Sequence, residues 1–358
     1  MNLRVAPSLK DLLGDSFLIG GALNDAQIAG QDPTAIEIVR RQFNAISPEN
    51  ILKWDVVHPE PARFHFESAD RFVELGQALG AFIVGHALVW HQQTPAWVFE
   101  GEAGAALGRD ALLARMRSHI QAVVGRYKGR IHGWDVVNEA LEDNGTWRKS
   151  PWYATLGEEY VAQAFEFARE ADPDAQLYYN DYNLWKPAKR DAAARLVTSL
   201  RSRGIRVDAV GEQGHWLLDD PPADAIDAMI VAFEKLGLKT VITELDVDPL
   251  PRPEGLDGAD VSKHVEFKST LDPYVDGFPD TVQRRLAERY ADVFRVFVKH
   301  RRALGRVTFW GVTDADTWLN DWPVRGRTNH PLLWDRHGRP KPSFDAVVET
   351  ARRASAAP

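Results

Sequence analysis

The chain has 358 residues, 44% hydrophobic and 26% charged, with 43 Lys plus Arg against 51 Asp plus Glu and a formal charge of −8. Such a chain buries a sizeable core, and its acidic balance argues against nucleic acid as a partner. It has no cysteine, which removes disulfides, thiolate nucleophiles and Cys-based metal sites.

Phe17 to Leu23 (FLIGGAL) reads as the first strand, and Ile36 to Arg41 as a short helical pattern. Phe43 to Ser47 gives the second strand, and Phe72, Leu75 and Leu79 then recur at helical spacing. Phe82 to Leu88 (FIVGHAL) is the third strand. Leu112, Leu113, Met116, Ile120, Val123 and Tyr127 form one face of an amphipathic helix. The fourth strand lies in IHGWDVVNEA (131–140), a short apolar run that stops abruptly at Asn138 and Glu139. Val161, Ala164, Phe165 and Ala168 face one way on the next helix. Gln176 to Tyr179 is the fifth strand, with Ala192, Leu196 and Leu200 on the helix after it. Val207 to Gln213 is the sixth, followed by Ile226, Met229, Ile230 and Phe233. The seventh, in KTVITELDVD (239–248), ends at Glu244, delivering it much as the fourth delivers Glu139. Leu286, Tyr290, Val293, Phe294 and Phe297 predict a long helix, Val307 to Gly311 the eighth strand, and Phe344, Val347 and Val348 the closing helix.

Strand then helix, eight times, predicts an α/β fold with a parallel sheet: a single (β/α)8 TIM barrel, with residues 1–358 as one domain. No G-x-G-x-x-G follows the first strand to favour an open nucleotide-binding sheet. The longest loop, Asp248 to Thr281, follows the seventh strand beside Glu244 and is expected to be a lid that shapes the site. No apolar run approaches membrane-spanning length. MNLRVAPSLKDLLG lacks the apolar centre of a signal peptide, so the expectation is a secreted or periplasmic protein if a leader was trimmed, with a cytoplasmic one left open.

The C-terminal strand ends carry Glu49, Asn50, Lys53 and Trp54; His86, Trp90, His91 and Gln93; Asn138 and Glu139; Asn180 and Tyr182; Gln213 and His215; Glu244 and Asp246; and Trp310 and Trp318. The opposite ends show no such set, and that asymmetry marks the active face of a barrel. Each residue alone has a plainer reading. A lone Glu behind a strand is usually a helix-terminal charge, and a lone His is more often structural than catalytic. Trp134 reads as core, and Trp310 alone would too. Trp318 and Trp322, set among Asp314, Asp316, Asn320 and Asp321, fit core packing less well. Two glutamates with Asn and Asp companions fit it least.

Two carboxyl groups without a metal are what hydrolysis of a glycosidic bond requires: one protonates the leaving oxygen, the other attacks or activates water. His215 and Asp246 are expected to keep Glu244 ionised, and the negative charge of Glu244 to raise Glu139 so that it stays protonated. Asn138 is placed to donate to a sugar 2-hydroxyl. Three other readings stay open: a β-1,4-glucanase, a metal-dependent barrel hydrolase using His86, His91 and His215, and a non-catalytic sugar-binding protein that uses the Trp set.

The motifs ENILKW (49–54), GHALVWHQQTPAW (85–97), WDVVNEA (134–140), YYNDYN (178–183), EQGHW (212–216), TELD (243–246), FWGVTDADTWL (309–319) and PLLWD with PKPSFDAV (331–348) resemble glycoside hydrolase family 10, the barrel-fold endo-β-1,4-xylanases. They run in family order over nearly the whole chain. The resemblance implies a retaining mechanism with Glu139 as acid/base and Glu244 as nucleophile. It implies that Asn138 holds the 2-hydroxyl and that His215 bonds Glu244 with Asp246 behind it. Glu49, Asn50, Lys53 and Gln93 would bind the sugar upstream of the scissile bond. His86, Trp90, Gln213, Trp310 and Trp318 would line the cleavage subsite, and Tyr182 would stack on the leaving side. The family usually has an apolar residue where this chain has Glu212. The implied partner is xylan or a xylo-oligosaccharide, with no cofactor, metal, nucleic acid or membrane, and a monomer is expected.

Overall fold

The computed structural model describes residues 7–101, 104–253, 255–256 and 259–356. Among these, nine strands follow one another along the chain: β1 (Leu18–Leu23), β2 (Ala45–Pro48), β3 (Phe82–Val89), β4 (Gly133–Asn138), β5 (Gln176–Asp181), β6 (Ala209–Glu212), β7 (His215–Leu217), β8 (Lys239–Asp248) and β9 (Leu304–Phe309). Eight of them close a parallel barrel, β1 to β6 in order, then β8 and β9, with β9 pairing back onto β1. Burial on both faces explains why strands such as GWDVVN read as near-continuous apolar runs.

The expected helices form at Pro33–Gln42, Glu67–Leu79, Arg109–Arg126, Glu159–Ala171, Pro187–Ser202, Ala223–Glu234, Asp280–Lys299 and Pro342–Ala356. Local chemistry sets their starts. Asp32 accepts the Ala35 N–H ahead of Pro33, and Ser150 accepts the Tyr153 N–H ahead of Pro151 at the start of a shorter helix, Pro151–Leu156. Each helix turns an apolar face to the sheet. On the 280–299 helix that face is Leu286, Tyr290, Val293, Phe294 and Phe297, all fully buried.

Trp134 is core, as expected, at 1% exposure. Its ring covers the backbone of Gly85 on β3, and a Cβ there would lie inside the indole. Gly85→Ala would therefore move Trp134 or break the β3–β4 ladder, whereas Trp134→Ala would leave a cavity costing about 3–5 kcal/mol.

One expectation needs correcting. The seventh barrel strand does not stop at Glu244 but runs on to Asp248. The reason is β7, a three-residue strand outside the barrel that pairs His215 with Asp246, Trp216 with Val247 and Leu217 with Asp248. The strands that carry the site are also irregular near their functional ends. Register shifts fall between His86 and Val89, between Asp135 and Val137, and between Ile242 and Leu245. Irregularities of this kind re-aim side chains toward a site.

Candidate active site

Glu139 leaves β4 at φ 58°, a left-handed backbone that disfavours side chains other than Gly, Asn or Asp. Its backbone is pinned on both sides: Glu139 N–H donates to Asn180 O at 2.9 Å, and Arg148 Nε donates to Glu139 O at 2.9 Å. The carboxyl is buried at the mouth, 3% exposed for the residue. Oε1 accepts from Gln213 Nε2 at 3.0 Å and from Asn138 Nδ2 at 3.2 Å. Oε2 and Trp90 Nε1 are both buried without a hydrogen-bond partner.

Glu244 is held through both oxygens. Asn180 Nδ2 donates to Oε1 at 2.8 Å, and His215 Nε2 lies 3.2 Å from Oε2. His215 Nδ1 lies 3.0 Å from Asp246 Oδ2, which also accepts from Trp318 Nε1 at 2.8 Å. Asn180 is the hub of the site. It donates to Asn138 Oδ1 at 3.0 Å as well as to Glu244, and its own oxygen accepts from Thr243 Oγ1 at 2.7 Å. The Asn138 and Asn180 amides thus link the two carboxyls.

The two glutamates are displaced in opposite directions. Burial pushes Glu139 up; the Gln213 hydrogen bond, the Arg148 charge and the Trp90 N–H pull it part of the way back, and Glu244 adds a smaller push. Burial also pushes Glu244 up, but His86, His215 and Asn180 outweigh it and hold the carboxyl below its usual range. Burial pulls His215 down, yet Asp246 and Glu244 overcome it and raise its pKa to about 10, so the ring is an imidazolium at neutral pH. The two carboxyls thus move in the expected directions, Glu139 up and Glu244 down, with one change of cause. Desolvation, ahead of the neighbouring negative charge, is what raises Glu139.

The β2 and β3 ends form one polar cluster. Lys53 Nζ donates to Asn50 Oδ1 at 3.0 Å and to Gln93 Oε1 at 2.8 Å, and it stands 5.0 Å from the centre of the Trp90 ring. Burial lowers the Lys53 pKa, opposed by the charges of Glu244, Glu49 and Glu139. Glu49 is pushed up to about 7, again chiefly by burial. His86 bonds Asp135 at 2.9 Å and meets Trp310 edge-on at 5.3 Å, while His215 packs 4.8 Å from Trp318. Tyr182 lies on the opposite side, its hydroxyl accepting from Arg148 Nη2 at 2.8 Å and its ring 3.7 Å from the buried Lys189 ammonium. His91 stands apart from the carboxyl network, and burial lowers its pKa to about 4. Trp322 is core after all, 3% exposed and stacked on Trp318 at 4.5 Å.

Sequence reasoning missed several supporting residues. Asp135, inside β4, carries no strand-end signal. Arg148 lies nine residues past Glu139 in a polar loop, where only the fold brings it back. Lys189, fully buried and 2.8 Å from Asp181, belongs to a helix face that reads as solvated. Glu212, singled out in the sequence but given no role there, accepts from the N–H groups of Leu184, Gly214 and Trp216 and so fixes the turn that presents Gln213.

The family model for glycosyl hydrolase family 10 matches residues 8–350. Endo-1,4-beta-xylanase A of Xylanibacter ruminicola is 42% identical over 343 residues, covering 96% of this chain and 93% of the relative. An endo-1,4-beta-xylanase of Geobacillus stearothermophilus is 41% identical over 349 residues, 96% and 98% of the two chains. Among solved structures, a GH10 endoxylanase from a sugarcane soil metagenome superposes with a TM-score of 0.93 at 45% identity, over 96% of this chain and 99% of that one. A xylanase from Paenibacillus barcinonensis, complexed with a conduramine derivative, gives 0.86 at 38% identity, over 97% and 99%.

Proposed function

The chain belongs to glycosyl hydrolase family 10 and is a glycoside hydrolase, and on that premise we propose that it is a retaining endo-β-1,4-xylanase with Glu139 and Glu244 as its reacting pair. Glu139, kept protonated by burial, gives its proton to the oxygen of the leaving sugar. Glu244, kept ionised beside the His215 imidazolium, attacks the anomeric carbon from the opposite face and forms a glycosyl ester. Glu139, now a carboxylate, then takes a proton from water, whose oxygen displaces Glu244 and restores the original anomeric configuration. The observation that carries this reading is the opposite displacement of two buried carboxyls bridged by the Asn138 and Asn180 amides. Retention needs the two carboxyls about 5–5.5 Å apart, against about 6.5–9.5 Å for inversion.

The other side chains follow from what their free atoms can still do. Asn138 spends one amide hydrogen on Glu139, which leaves the second for a sugar 2-hydroxyl. The Glu49, Asn50, Lys53 and Gln93 cluster offers donors and acceptors upstream of the bond, Trp90, Trp310 and Trp318 flat walls, and Tyr182 a ring on the leaving side. Lys53 and Trp318 would crowd a C6 hydroxymethyl group, so xylose, which lacks one, fits better than glucose.

The test is the product profile from linear β-1,4-xylan in EDTA, with the new ends followed by NMR. Xylobiose and longer oligomers whose new ends appear first as the β anomer are expected. α ends first would mean inversion and a wrong nucleophile, and equal turnover of carboxymethylcellulose would overturn the xylose preference.

A further inference from the structure

The loop between β8 and the 280–299 helix has no share in the carboxyl pair, yet it reaches across the barrel mouth. β3 and β8 hold the third and seventh of the eight places around the barrel, so their loops start on opposite sides. Gln92, three residues past β3, nevertheless donates from Nε2 to Asp260 Oδ1 at 2.9 Å. Asp260 is set for this contact, because the same oxygen accepts from Ser262 N at 3.1 Å and Ser262 Oγ at 2.7 Å. The loop is footed on the far wall. Trp322 Nε1 donates to Asp260 O at 3.1 Å, Val265 N donates to Pro323 O at 2.9 Å, and Trp322 stacks on the Trp318 that bonds Asp246.

The two walls joined in this way are the ones a sugar would lie between. One carries Trp318, His215 and Glu244. The other carries Gln92 next to Gln93, which bonds Lys53. The same loop also bounds a cavity of about 120 Å³, where Arg252, Pro253 and Leu256 face His215, Asn183 and Trp185.

We propose that the Gln92–Asp260 hydrogen bond is a clasp that fastens the β8 loop over the cleft, making these two residues determinants of chain length. A short xylo-oligosaccharide enters beneath the closed loop from its end. An internal stretch of polymer is admitted only when the bond opens. This inference rests on the reading of the chain as a xylan hydrolase. It adds a role for residues that touch neither carboxyl.

Gln92→Ala and Asp260→Ala remove the clasp and leave the carboxyl network in place, and Asp260→Asn keeps an oxygen to accept from Gln92. The measurement is kcat/KM on linear β-1,4-xylan divided by kcat/KM on xylotetraose. A hydrogen bond to a charged oxygen holds the loop by roughly a factor of ten or more. Both alanine variants are therefore expected to raise the ratio about tenfold, through the polymer value, with Asp260→Asn, whose bond is neutral and weaker, falling between them and wild type. An unchanged ratio in variants that still cleave both substrates would overturn the clasp and spare the hydrolase reading. Wild-type protein inert toward both substrates would overturn that reading, and the clasp with it.

Discussion

Replacing His215 by Asn takes a positive charge away from Glu244 and leaves a polar side chain in its place. His215 Nε2 stands 3.2 Å from Glu244 Oε2. At an effective dielectric of about 20, two unit charges at that distance attract by about 5 kcal/mol. At about 1.4 kcal/mol per pKa unit, that sets a ceiling of close to four units on what the ring does for Glu244. The polar Asn amide left beside Oε2 makes up part of the lost stabilisation of the carboxylate, which keeps the shift below that ceiling. A rise of roughly one to two units in the Glu244 pKa is expected. The acid limb of kcat/KM, which reports ionisation of the attacking carboxylate in the free enzyme, should move to higher pH by the same amount. An aryl β-xylobioside with an acidic phenol is the substrate of choice, because its departure does not depend on Glu139, and circular dichroism verifies the fold. An acid limb left in place in a folded variant would refute the electrostatic account of Glu244. Stability gives a second readout. Because the folded pKa of His215 is raised to about 10, its contribution is full below the unfolded value of about 6.5 and is lost as pH rises toward 10. His215→Asn should remove that alkaline slope from the unfolding free energy.

Glu139→Ala should cut xylan turnover far more than turnover of the acidic-phenol glycoside, and equal losses on the two substrates would remove Glu139 as the acid. Arg148→Met withdraws a cation that lowers Glu139, so the alkaline limb of kcat/KM should move up by as much as roughly one unit; no movement would leave Arg148 a purely structural tie. Glu212 is pushed from 4.5 to about 7, mainly by burial. Its cost is absent below the unfolded value and complete above about 7, so it makes the protein less stable as pH rises through that window. Chemical denaturation of Glu212→Gln at pH values on either side of the window should show this trend flattened, whatever the loss of the Leu184, Gly214 and Trp216 bonds does to absolute stability.

The barrel was legible because each of its strands is buried on both faces and each crossover helix on one, so the switch between apolar run and helical spacing survives in the primary structure. β7 was not legible. Three residues make too short a run to register, and what defines the strand is its partner, Asp246 to Asp248, which lies far along the chain. Glu139 could be found because β4 stops abruptly before it, and Glu244 because a charge interrupts the apolar run of Val241 to Leu245, even though its strand continues to Asp248. Asn180 could be placed at the site but given no role, since its importance lies in joining Asn138 to Glu244 across three strands. Arg148 and Lys189 lay beyond reach for a related reason. Their charges look like solvated surface until Glu139 and Asp181 close over them. The cause of the Glu139 shift was misjudged because a neighbouring charge is visible in sequence, whereas the depth of a carboxyl is a property of the folded cleft.

The backbone of Glu139 has a consequence for evolution in the laboratory. The residue sits in a left-handed conformation, which costs about 1 kcal/mol or more in a residue with a side chain, and it carries a carboxyl that desolvation disfavours. Glycine or asparagine at this position would relieve both penalties. A library of this scaffold screened only for survival after heating would therefore be drawn toward proteins that melt later and cut nothing, with position 139 among the first to change. Selection for durability has to be run together with selection for turnover, because at this residue the two pull the sequence in opposite directions.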